Sequence, residues 1–136
     1  GRTVLVVEDN AINAMVTTAM LKKWSMNVLQ ADSGGKAISI ANNWQQKDKD
    51  ERLLVLMDCQ LPDMDGFETT ARFRAGPDKL KQAVIIALTA NASDAFRDRC
   101  LDSGMDDFLS KPVNADDLKQ RLKYWSEESR PDSRTG

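Results

Sequence analysis

The chain has 136 residues, with 19 basic and 21 acidic side chains for a net charge of −2, and no histidine. So even a balance excludes a sequence-independent nucleic-acid binder, which needs a basic excess to neutralise phosphates. The missing imidazole excludes His-based catalysis, and no apolar run approaches the ~18–20 residues of a membrane span.

The length suits one domain able to bury a two-sided core without disulfides or a structural metal. Residues 3–7 (TVLVV) form a β-branched apolar run that reads as a strand. Residues 11–24 have helical spacing, with Thr17, Met20, Leu21 and Trp24 as the inward stripe and Lys22 and Lys23 near the end. Residues 27–30 make a weaker strand, expected at an edge. The Asp32-Ser33-Gly34-Gly35 turn leads into a helix with Ala37, Ile38, Ala41 and Trp44 on one face. QQKDKDER is a polar connection, and residues 53–57 form the third strand. Residues 66–74 make a short helix stopped by Gly76-Pro77, and 84–88 a fourth strand. Ser93 caps a helix over 94–103 that Gly104 ends; 107–110 is a fifth strand, and Asn114 caps a last helix through Leu118, Leu122 and Trp125. Residues 1–125 are thus assigned to one domain and 126–136, SEESRPDSRTG, to a linker or tail. The opening Gly1-Arg2, with no initiator Met, suggests a piece of a longer protein. Cys59 and Cys100 lack CxxC spacing and read as reduced thiols of a cytoplasmic domain.

Strands alternating with helices imply an α/β fold, a doubly wound parallel sheet of five strands with five helices and right-handed crossovers. In the common order 2-1-3-4-5, strands 1 and 3 are neighbours at the topological switch point, where open sheets bind ligands. Glu8 and Asp9 close the first strand, Asp58 the third, Thr89 the fourth, and Lys111 lies just beyond the fifth. Singly, each has a bland explanation: Asp9 and Asn10 as helix caps, Asp63 and Asp65 as turn residues, Thr89 as a strand-end hydroxyl, Lys111 as a solvated lysine. Jointly they place complementary groups at four strand ends that converge in one crevice.

Three carboxylates in one crevice repel: a pair about 4 Å apart costs roughly 4 kcal/mol at an effective dielectric near 20, so one should protonate unless a cation compensates. Mg²⁺ accepts carboxylates and a carbonyl and leaves positions for phosphate oxygens. With Lys111 it would keep Asp58 ionised, the only form that acts as a nucleophile, and neutralise a phosphoryl group in transfer. Thr89 can donate a hydrogen bond to that group, and Ala90 leaves room for it.

VLVVEDNAIN, MDCQLPDMDGFE, ALTANA and CLDSGMDDFLSKP together resemble the response-regulator receiver domain, above all the receivers attached to hybrid sensor histidine kinases, over nearly residues 3–125. The resemblance implies a flavodoxin-like fold with Asp58 as phosphoacceptor, Glu8 and Asp9 as acids of a Mg²⁺ site, and the Gln60 backbone carbonyl as a further metal ligand. It implies that Thr89 and Lys111 contact the phosphoryl group, that Thr89 and Phe108 form a switch, and that the Lys111–Pro112 bond is cis. The isolated domain would then catalyse its own phosphorylation and dephosphorylation, within a two-component phosphorelay protein expected to be a hybrid sensor histidine kinase, a kind that can be membrane-anchored. The partner is a histidine kinase or histidine phosphotransfer domain, since the imidazole must come from outside, with no nucleic-acid or membrane contact by this domain. Docking is expected over the first turns of the first helix, at Asn13 and Val16, and at Pro112. Phe108 stands where Tyr is common, and Leu61 where hybrid receivers often have Met.

Three rivals are weaker. A haloacid-dehalogenase-like phosphatase needs an acid two residues after its nucleophile, where Gln60 stands. A nucleotide or flavin site would recruit SGGKAIS as a phosphate loop, but Gln30 and Ala37 occupy positions that need Gly and Ser or Thr. A silent interaction module would be expected to lack the acids, Thr or Lys, and all are present.

Overall fold

Continuously apolar runs such as VIIALT have both faces to bury, and the chain buries them by stacking strands in parallel under helices on each side. The structure is a computed structural model describing residues 2–47, 51–61, 63–90 and 93–126. Its order is β1 (Thr3–Val7), α1 (Ala11–Lys23), β2 (Asn27–Ala31), α2 (Gly34–Asn43), β3 (Leu54–Asp58), α3 (Gly66–Arg74), α4 (Asp78–Lys81), β4 (Val84–Thr89), α5 (Asp94–Asp102), β5 (Asp107–Ser110) and α6 (Ala115–Ser126). All pairings are parallel and the sheet order is β2-β1-β3-β4-β5. The tail at 127–136, Pro62 and the middle of the QQKDKDER connection lie outside the described residues.

Alternate strand residues serve opposite cores, as the two-residue period of a pleated strand dictates. Val55, Met57, Ile85 and Ala87 meet Ala37, Phe73, Leu80 and Cys100 of α2 to α5, whereas Leu54, Leu56, Ile86 and Leu88 meet Leu21, Leu118 and Trp125 of α1 and α6. β2 is the half-exposed edge strand that its mixed sequence suggested. Both cysteines are free and buried, and burial, followed by the neighbouring Cys100, pushes the Cys59 thiol up to about 12, where it stays protonated.

Among the described residues the structure adds a sixth helix to the five expected. Pro77 has φ −64°, preset for a helix start, Asp78 follows in the first turn, and Leu80 is buried. One turn is too short to show a 3.6-residue period, so GPDKLKQ read only as a long connection. Just past the Trp24 cap of α1, Ser25 adopts φ +63° without being glycine, so the usual stop signal is absent there.

Two polar fasteners join elements across the fold. Arg74 at the end of α3 donates to Asp106 Oδ2 at 2.8 Å and to the Gly104 and Ala83 carbonyls, while the same Asp106 oxygen accepts from the Ile85 N–H. At the start of β5, Asp107 accepts from Trp125 Nε1 at 3.0 Å and pairs with Arg121, both on α6.

Candidate functional site

The reversal of winding around β1 places the carboxyl ends of β1 and β3 side by side, with Val7 paired to Met57 and the two chains diverging just beyond. Glu8 continues β1 and is held there by its N–H bond to the Ala31 carbonyl at 2.9 Å. Asp58 closes β3, and its Oδ1 accepts from the Gln60 N–H at 3.0 Å. Thr89 ends β4 and is buried; its carbonyl takes the Lys111 N–H at 2.7 Å, which folds Lys111 back over the strand ends. The Lys111–Pro112 bond is cis.

Lys111 Nζ lies 3.0 Å from Asp58 Oδ2 and 3.2 Å from Glu8 Oε1. Glu8 and Asp58 are each 5% exposed, whereas Asp9 faces solvent at the mouth. One oxygen from each of Glu8, Asp9 and Asp58 lies within 4.8 Å of the other two. Burial first, then a hydrogen bond shared with Asp58 and that residue's negative charge, push Glu8 up to about 7, against the smaller opposing pull of Asn10 and Lys111. Burial works against the Lys111 ammonium too, but the bonds and charges of Asp58 and Glu8 outweigh it and hold its pKa above the ordinary lysine value. One lysine therefore leaves the crevice short of positive charge, and the donor set is all oxygen. Hard, small divalent cations fit both facts.

Asn10 caps α1 by accepting from the Asn13 N–H at 3.0 Å, so the polar pair after Glu8 divides its work: Asn10 caps the helix, and Asp9 faces the crevice. SGGKAIS forms the cap and first turns of α2, with Ser33 accepting from the Lys36 N–H at 3.2 Å; it makes no phosphate loop. Phe108, in register with Ala87, is half-buried and packs against the core on the α2–α5 side.

Asn13, Val16 and Pro112 line one groove of about 440 Å³ that also reaches Glu8, Lys111 and Val113. Beside it, Ile12, Met15 and Val16 are 67%, 63% and 54% exposed, a continuous apolar patch on α1. Sequence reasoning picked Val16 and missed Ile12 and Met15, although positions 12, 15 and 16 have the i, i+3, i+4 spacing of a second stripe. Asp63, read as a turn residue, accepts from the Gly34 and Gly35 N–H groups at 2.9 and 2.8 Å; no local pattern announces a partner so far back in the chain.

Residues 4–123 match the family model described as the response regulator receiver domain. The chain belongs to that family. It is 39% identical over 122 residues to the hybrid signal transduction protein dokA of Dictyostelium discoideum, covering 90% of this chain and 7% of that protein. It resembles the receiver domain of a Pseudomonas aeruginosa sensor histidine kinase, whose crystal structure has a magnesium ion coordinated in the active-site cleft, with TM-score 0.78 and 38% identity over 92% of this chain and 97% of that one. It also resembles a chain of the Saccharomyces cerevisiae co-crystal of the histidine phosphotransfer protein Ypd1 with the receiver domain of Ssk1, with TM-score 0.82 and 30% identity over 92% of this chain and 88% of that one. This receiver domain spans 6–14% of the length of the curated relatives it matches, several of them hybrid histidine kinases. Among its described residues, no helix is long and apolar enough to cross a membrane.

Proposed function

We propose that this receiver domain accepts a phosphoryl group from a phosphohistidine onto Asp58, with Mg²⁺ held by Glu8, Asp9, Asp58 and the Gln60 backbone carbonyl. The observation that carries the reading is the three-carboxylate cluster with Lys111 within 3.2 Å of two of its members. The bound cation would supply positive charge to the phosphoryl oxygens. Asp58 attacks phosphorus through a carboxylate oxygen as the bond from phosphorus to a donor imidazole protonated on its other ring nitrogen breaks; the bonding pair stays on the departing nitrogen, giving an aspartyl-phosphate and a neutral donor histidine. Lys111, charged throughout the neutral range, exchanges part of its pairing with Asp58 for the incoming oxygens, and the Thr89 hydroxyl donates to another. The crevice is preformed, so little reorganisation is needed.

The donor docks on the groove at Asn13, Val16 and Pro112 and on the exposed α1 patch, because in-line transfer brings its imidazole opposite Asp58. The partner is a helical histidine kinase or phosphotransfer module. The whole protein is then a phosphorelay component of the hybrid-kinase kind, with this domain in the cytoplasm, spanning residues 1–125 before a linker. Neither nucleic acid nor membrane is a partner of this domain, whose charges nearly cancel.

Phosphorylation shifts an existing equilibrium, with Thr89 drawn toward the phosphoryl group and Phe108 turning inward. α5, β5 and α6 carry the change. Incubation with acetyl phosphate and Mg²⁺ followed by intact mass tests the core assignment: one added phosphoryl group is expected, lost in Asp58→Asn and without Mg²⁺. Labelling of Asp58→Asn at the wild-type rate refutes it. Beryllofluoride-induced NMR shifts confined to the crevice, with none at Phe108, would refute the switch.

A further inference from the structure

Asp63 stands outside the crevice and is exposed, yet both of its carboxylate oxygens are engaged. Oδ1 accepts from the Gly34 N–H at 2.9 Å and the Met64 N–H at 2.9 Å, and Oδ2 from the Gly35 N–H at 2.8 Å. The first and last of these tie the segment after β3 to the first turn of α2, 28 and 29 residues earlier in the chain. The approach is close at Gly34: a Cβ there would lie 2.4 Å from Thr69 Oγ1 and 2.5 Å from Met64 Cγ, so any larger residue forces those side chains to shift. The Gly35 and Gly34 amides in turn hold the Asp63 carboxyl below the usual carboxylate range.

The same segment is closed at its base by the Gly66 N–H on the Cys59 carbonyl at 3.1 Å, where a Cβ on Gly66 would meet the Asp58 carbonyl at 2.8 Å. Two described residues after β3 are therefore fastened: Cys59 by the Gly66 N–H and Asp63 by the Gly34 and Gly35 N–H groups. Gln60 lies between Cys59 and Asp63, with its N–H already committed to Asp58.

We infer that Asp63 is a positioning residue for the cation site: by clamping the segment after β3 onto α2, it fixes the backbone from which Gln60 presents its carbonyl. This rests on the Mg²⁺ reading proposed above. A carboxylate three residues from Gln60 would also favour a cation through charge alone, and the test must separate the two effects. Asn at position 63 removes the charge but keeps an amide oxygen that can accept from α2, whereas Ala removes both.

Isothermal titration with MgCl₂ of the wild type, D58N, D63A and D63N provides the measurement. D63A is expected to weaken Mg²⁺ binding about tenfold, the lower end for loss of a group that orients a metal ligand, with D63N between D63A and wild type. In metal-free buffer, hydrogen exchange at the Gly34 and Gly35 amides should accelerate in D63A, a change that loss of charge alone would not produce. Wild-type affinity in D63A overturns the inference, and so does a loss in D63N equal to that in D63A, which would leave only charge. If the wild type binds no Mg²⁺, or D58N binds as tightly as wild type, the functional reading itself fails and takes this inference with it.

Discussion

Replacing Glu8 with Gln in metal-free buffer should stabilise the domain at pH 8 and leave it nearly unchanged at about pH 4. Glu8 is pushed from an ordinary 4.5 to about 7 by burial and by Asp58, so the native state holds a proton there that the unfolded chain has released. The stabilisation from that proton is complete below about 4.5 and is lost as pH rises through about 7. At about 1.36 kcal/mol per pH unit the interval corresponds to roughly 3 kcal/mol. The crevice opens to water beside Asp9, and screening reduces this to about 1–2 kcal/mol. The neutral amide of the Glu8→Gln variant mimics the protonated acid and so escapes the loss. Urea denaturation in EDTA reads the difference as a midpoint raised by roughly 0.5–1 M at pH 8, for a slope of about 2 kcal/mol/M. With saturating Mg²⁺ the order should invert, because the wild type gains binding energy that the variant gives up. A variant less stable than wild type at pH 8 in EDTA would refute the reasoning. It would mean that the Lys111 pair at 3.2 Å outweighs burial and Asp58 together.

Val16→Glu should slow transfer from a protein donor at least about tenfold by charging the exposed patch on α1, while sparing acetyl phosphate labelling; equal slowing with both donors would place the damage in the fold or the site. Gly34→Ala should cost about 1–3 kcal/mol in urea denaturation, because its Cβ would press on Thr69 Oγ1, and an unchanged midpoint would mean that α2 and α3 part freely. Arg74→Ala takes the guanidinium from the Asp106 carboxylate, 4% exposed, and should lower stability by about 3 kcal/mol or more; a thermal midpoint within a degree or two of wild type would contradict that.

The strands and their order were legible because a doubly covered parallel sheet needs continuous apolar runs, and TVLVV, LLVLM and AVIIAL have little else to be. The acids were legible through position: a carboxylate straight after a buried strand is costly unless it is paired, hydrogen-bonded or met by a cation. Element ends differed by a residue or so, as at Ala31 and Asp102, where end pairing decides and composition does not. Features fixed by distant partners stayed hidden. Asp63 and Asp106 look like ordinary loop acids until the fold brings Gly34 and Arg74 to them. The outward stripe of α1 was masked because Ile12 and Met15 share a helix with Leu21 and Thr17, so apolar residues run all round it.

β5 joins two of the contacts described above. Its far end leads straight into Lys111, whose ammonium sits on the Asp58 carboxylate, and its near end is Asp107, gripped by Trp125 and Arg121. Four residues of extended backbone span about 13 Å and resist stretching along their length. The strand is thus a short tie rod: one end leads to the Lys111 contact with Asp58, the other is held by the carboxyl-terminal half of α6, and Phe108 lies between them.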